Sequence, residues 1–201
     1  MAVENYSIPI SVYRPGMISS SSITGHSNVT DWVSRLLYTF LVTKLVPKYP
    51  HAYADDSNGI LELCPVDFVS QFIVSNMIDN SPESNTFNIL NSSNLGLEWN
   101  ELVNSIQMYN SDITIVRDYN HWFNQTVEYL KENVTESDRD RKTIWPMLDS
   151  FSRGITVIRE EDKSQYHMHN MIQQMQKLKL TCPTVTSAII VRALSYLNLQ
   201  E

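Results

Sequence analysis

Ile8-Pro9-Ile10-Ser11-Val12-Tyr13-Arg14-Pro15-Gly16-Met17-Ile18 is an apolar run, Ile8 to Val12, that ends in a Pro-Gly break. The run is short and β-rich, which predicts a strand, and Pro15 with Gly16 predicts where it stops. In an open α/β sheet, such a strand-to-loop break often forms the rim of a ligand crevice. The stretch therefore predicts both a fold class and the place of a site. A dinucleotide-binding domain would carry several strands and helices ahead of this point. Here the stretch stands almost at residue 1, so the chain is expected to be the back half of something larger.

Working outward, Ser19 to Ser27 is a polar loop containing Gly25, and Asn28, Thr30 or Asp31 can cap a following helix. That helix is expected to reach Val46 and to stop at Pro47-Lys48-Tyr49-Pro50. Its apolar face (Val33, Leu36, Leu37, Phe40, Leu41, Leu45) is wide enough for a packed helix. Ile60 to Cys64 reads as a strand, followed by a helix opened by Pro65 and carrying Asp67 near its positive end. Asn80 to Glu83 reads as a turn, Thr86 to Leu90 as a strand, Leu97 to Met108 as a helix, Ile113 to Val116 as a strand and Tyr119 to Leu130 as a helix.

Glu132 to Lys142 is charged and expected to be a solvated turn or helix end, and Arg159 to Lys163 is a second charged loop. Ile144 to Ile158 is apolar but irregular, interrupted by Pro146 and Gly154. Helices are expected over His167 to Leu178 and over Thr184 to Leu199. The inward set of the second is Val185, Ala188, Ile189, the Arg192 stem, Leu194 and Leu197. Four strand-helix units followed by helices predict an α/β fold.

Composition limits the function classes. The 201 residues, 42% hydrophobic and 10% aromatic, suit one globular core. Fifteen Lys and Arg against 22 Asp and Glu give a net charge of −7, which argues against a nucleic-acid surface. Cys64 and Cys182 form no C-x-x-C pair and no zinc spacing, so two buried free thiols in a reducing compartment are expected. The chain does not open on a basic and apolar leader, and Leu36 to Val46 is too short for a membrane span. A soluble, cytoplasmic protein is the expectation.

Taken together, several blocks resemble the C-terminal portion of thioester reductase domains. These are extended short-chain dehydrogenase/reductases found at the ends of polyketide synthases and nonribosomal peptide synthetases, with male-sterility-type fatty acyl-CoA reductases as relatives. The blocks are Ile10 to Ile18, then Gly25-His26-Ser27-Asn28 with Asp31 and Arg35, then Leu63-Cys64-Pro65-Val66-Asp67-Phe68-Val69. Thr86 to Asn91, Trp99, Val116 to Trp122 and Leu180 to Pro183 continue the pattern.

The resemblance implies a partial Rossmann-type fold. Residues 1–27 would be the last part of the dinucleotide-binding half, and residues 28–201 the mostly helical substrate-binding part. It implies NADPH as cofactor and an acyl thioester as substrate, held on a carrier-protein phosphopantetheine arm or on coenzyme A. The product would be an aldehyde or an alcohol. Neither the family's glycine-rich G-x-x-G-x-x-G loop nor its Tyr-x-x-x-Lys pair occurs in these residues. Without the Tyr the thioester oxygen lacks a positioned acid, so no catalytic residue is assigned and the chain alone is not expected to reduce anything. A non-catalytic carrier-protein or multienzyme binding module is the alternative, as is a sugar-nucleotide-modifying relative of the same superfamily.

The resemblance places Pro15, Gly16, Met17 and Ile18 in the loop whose backbone lies against the nicotinamide end of the cofactor; an ordinary strand-ending turn is the plainer reading. His26, Asn28 and Asp31 could bind the pantetheine arm or orient substrate, although loop hydrogen bonds and a helix cap explain them as well. Asp67 reads as a first-turn helix carboxylate. His167 and His169 would face apart on a helix, which makes a metal site a poor reading. Ser19 to Ser22 lacks a G-x-S-x-G elbow. Lys163, Lys177, Lys179 and Arg192 could form a face for an acidic carrier protein, or be scattered solvated charges.

Overall fold

A computed structural model describes residues 9–51, 59–79, 85–158 and 167–199. Strand β1 (Ser11–Pro15) runs parallel to β6 (Asn85–Ile89), with Val12 opposite Thr86 and Tyr13 opposite Phe87. The strand begins later than the apolar run suggests and includes Tyr13 to Pro15; Ile8 lies outside the described residues. The period of two puts Tyr13 and Phe87 on one face, where their rings stack at 5.6 Å and meet Phe72 edge-on. Val12 points the other way and stays exposed.

Strand β2 (Ile18–Ser19) pairs in parallel with β5 (Cys64–Pro65), and β3 (Leu45–Pro47) with β8 (Thr114–Val116). Strand β4 (Ile60–Glu62) pairs with β7 (Gly96–Glu98), but antiparallel. Leu97 and Glu98, read from sequence as the start of a helix, thus belong to a strand. Gly96 permits it: at φ +151°, a Cβ there would sit 2.0 Å from the Leu61 carbonyl oxygen. The result is α/β, with four two-stranded pairings among the described residues in place of a simple βα series.

Helix α1 (Trp32–Thr43) is capped by Asp31, whose carboxylate accepts from the Ser34 amide at 2.7 Å. It stops three residues earlier than expected, at Lys44 in the left-handed region. Thr43 Oγ1 donates back to Thr39 O and accepts from Leu45 N, which turns the chain into β3. The helix is buried on nearly every side, as its wide apolar face predicts.

Helix α2 (Val66–Ile78) follows β5, α3 (Trp99–Tyr109) follows β7, and α4 (Tyr119–Asn133) follows β8. The charged segment contains a helix, α5 (Glu136–Lys142), with acids in its first turn, bases in its last and Thr135 as cap. A 3-10 turn (Trp145–Met147) leads into α6 (Leu148–Phe151). Helices α7 (His169–Leu178) and α8 (Ser187–Asn198) close the described chain. Val185, just before α8, and Ile189, Leu194 and Leu197 on it are buried as expected, whereas Ala188 and Arg192 are exposed and Ile190 and Ala193 take their places. The cause is that α8 packs against both α1 and α3, which rotates and widens its buried face.

The large aromatic side chains at the centre each place a polar handle. Trp99 Nε1 donates to Pro47 O at 3.2 Å, Trp122 Nε1 to Leu45 O at 3.3 Å, and Tyr119 Oη to Phe151 O at 2.6 Å. A second cluster holds Cys64, Phe68, Phe72, Phe87, Met171, Met175 and Cys182; both cysteines are buried and unbridged. No helix among the described residues is long and apolar enough to cross a membrane.

Candidate ligand-binding site

The break at the end of β1 is held by two backbone hydrogen bonds and one from backbone to side chain. Gly16 N donates to Ile89 O at 3.0 Å, and Cys64 N donates to Met17 O at 2.9 Å. Met17 N donates to the Glu62 carboxylate, with both oxygens at 3.1 Å. Gly16 is needed for that last contact, because a Cβ on it would lie 1.9 Å from Glu62 Oε1. Glu62 is half-buried, and burial raises its pKa above the usual carboxylate range, against the lowering effect of the Met17 amide.

The polar loop after β2 is a strap between α2 and α8. Ser22 donates to Asp67 from its amide (2.7 Å) and its hydroxyl (2.6 Å), and its carbonyl accepts from Arg192 Nη1 at 2.8 Å. Gly25, at φ +73°, lies where a Cβ would strike the Arg192 backbone. The His26 ring rests on Tyr196 at 4.7 Å. Ser27 and Ser34 share a buried hydroxyl-hydroxyl hydrogen bond. Asn28 Oδ1 accepts from Thr30 N and Thr30 Oγ1, and Asp31 caps α1. Burial raises the Asp31 pKa, opposed by the Ser34 hydrogen bonds.

Loop and strap enclose a cavity of about 570 Å³. Met17, Ile18, Trp32, Val33 and Val66 supply its apolar surface, and His26, Asn28 and Asp31 its polar groups, with Ser19 and Ser27 between. Five of the seven site residues read from sequence thus meet in one cavity. Pro15 and Gly16 do not line it; they form the turn behind it. Trp32, Val66 and Glu62 were missed. Glu62 had a visible signal, a lone carboxylate inside the apolar run Ile60-Leu61-Glu62-Leu63-Cys64.

Other sequence candidates resolve into structural roles. Asp67 does sit in the first turn of α2, and it also anchors Ser22. Ser22 is therefore a tether. No group of three or more metal-ligating side chains occurs among the described residues, which include His167 and His169. Lys177 pairs with Asp79 and Arg192 with the strap; Lys163 and Asn80 to Glu83 fall outside the described residues.

Residues 1–73, which carry the β1 break, the strap and Glu62, match the family described as Male sterility protein. The chain resembles the C-terminal portion of a thioester reductase domain. The carboxylic acid reductase of Segniliparus rugosus is 26% identical over 201 residues, covering 95% of this chain and 16% of that protein. A solved reductase (R) domain of a nonribosomal peptide synthetase from Mycobacterium tuberculosis superimposes with a TM-score of 0.81 at 19% identity. The match covers 99% of this chain and 48% of that one. A thiolation-reductase di-domain from an archaeal nonribosomal peptide synthetase gives a TM-score of 0.60 at 16% identity, covering 96% and 36%. The fold is the mixed α/β fold of those solved reductase domains. The chain spans about half of the first solved domain and under a fifth of the curated relative.

Proposed function

We propose that these residues form the substrate side of an NADPH-dependent reductase that releases an acyl thioester as an aldehyde or alcohol. The observation that carries this reading is the single cavity in which Met17 and Ile18 meet His26, Asn28 and Asp31. Its apolar walls and few convergent polar groups are those of a small-molecule site.

The residues present suit the nicotinamide end of the cofactor: Met17 and Ile18 offer an apolar wall. When bound, NADPH supplies a hydride. The chain's own groups hold and orient the acceptor. Met17 and Ile18 line the cavity, and Trp32 and Val66 add apolar surface that excludes water. Asn28 and Asp31 are engaged by Thr30 and Ser34, so they shape the mouth. The His26 imidazole makes no hydrogen bond among the described residues and is the group available to an amide of a phosphopantetheine arm, delivered by a carrier protein. The Tyr-x-x-x-Lys pair that the resemblance implies as the proton source does not occur in these 201 residues.

The test is reduction of an acyl-phosphopantetheine or acyl-coenzyme A thioester by the full-length protein, followed by loss of dihydronicotinamide absorbance and by aldehyde or alcohol formation. Turnover with NADPH supports the reading. Carrier-protein binding without dinucleotide binding would establish the alternative, a non-catalytic binding module.

A further inference from the structure

Glu62 does not line the cavity. It stands behind the Gly16–Met17 turn, on β4, between the buried side chains of Leu61 and Leu63. Both of its oxygens converge on one donor, the Met17 amide. No cation pairs with it among the described residues; the ion pairs there involve Asp79, Asp112, Asp138 and Asp140. Gly16 is the residue that lets the carboxylate come so close, and Leu90 closes the same spot from the far side. A carboxylate held by a single neutral donor keeps its charge uncompensated. In a half-buried setting that charge acts through the turn at low screening.

Resting on the functional reading above, we infer that Glu62 is a positioning residue that fixes Met17 and places a negative charge behind the nicotinamide-facing turn. In hydride donation the C–H bond at the dihydronicotinamide ring breaks and both its electrons go to the thioester carbonyl carbon. The ring is oxidised from neutral to cationic, and the carbonyl π electrons move to oxygen. A fixed anion behind the turn favours the cationic ring over the neutral one, and so favours hydride departure.

The measurement is the affinity of the full-length protein for NADP+ and for NADPH, in the native form and in Glu62→Gln. The amide keeps an oxygen for Met17 N and removes the charge. The ratio of the two dissociation constants, oxidised over reduced, is expected to rise roughly ten-fold in the variant, through weaker NADP+ binding. A merely structural role would weaken both forms alike, and an unchanged ratio overturns the charge role. In Glu62→Ala, Met17 amide hydrogen exchange is expected to accelerate at least about ten-fold, as for a lost protecting hydrogen bond; unchanged exchange overturns the anchoring. If the native protein binds neither nucleotide, the functional reading falls and the charge role with it, while the exchange measurement still decides the anchoring.

Discussion

Gly16 is a position where a methyl group would displace two side chains. Its Cβ would lie 1.9 Å from Glu62 Oε1 and 2.6 Å from Leu90 Cδ2. Gly16→Ala is expected to lower stability by about 1–3 kcal/mol, the usual cost of overpacking, read by urea denaturation. Asp67 carries the strap through two short hydrogen bonds from Ser22. Asp67→Ala should cost about 2–3 kcal/mol, the scale for hydrogen bonds to a charged group, and limited proteolysis should then cut within residues 20–27. The Glu62 titration has a definite sign. Its folded pKa lies above the unfolded 4.5, so its contribution is greatest below that value and is lost as pH rises through the folded pKa. The melting temperature of the native protein relative to Glu62→Gln should therefore fall as pH increases from about 4 toward neutrality.

At the scale of elements, α1 depends on its cap. Asp31→Ala removes the acceptor for Ser34 N and should cost about 1 kcal/mol. Its effect on ligand affinity would show whether Asp31 also touches substrate. Most element positions were legible from sequence because they rest on local chemistry. Asp31 before an apolar stripe starts a helix, and Pro65 ends a strand and opens one. The mistakes have a common cause. The apolar spacing at Val46 and at Leu97 fits a helical face and so points to helices there. In the structure, β3 finds Thr114 to Val116 and β7 finds Ile60 to Glu62, and strand partners so remote in sequence leave no mark on local spacing. The helical α5 was missed as a helix in its own right because its residues are charged all round, with no buried face to read.

At the scale of the molecule, the two thiols give a simple check on the packing. Cys64 and Cys182 lie in one apolar cluster, and the interaction with Cys182, helped by burial, pushes the Cys64 thiol pKa up. The native protein should react slowly with a thiol reagent and the denatured protein should titrate two thiols, with no disulfide found on mass analysis. The sequence by itself determined the α/β class, the strand-ending break at Pro15-Gly16, the cap at Asp31 and the resemblance that ties these blocks together. Each of these is written in neighbouring residues. Tertiary structure alone decided that Met17 and Ile18 share a cavity with His26 and Asp31, and that Glu62, forty-five residues from Met17, holds its amide. Those contacts depend on β2 pairing with β5 and on β4 lying beside the turn, which the whole core sets and no local pattern encodes.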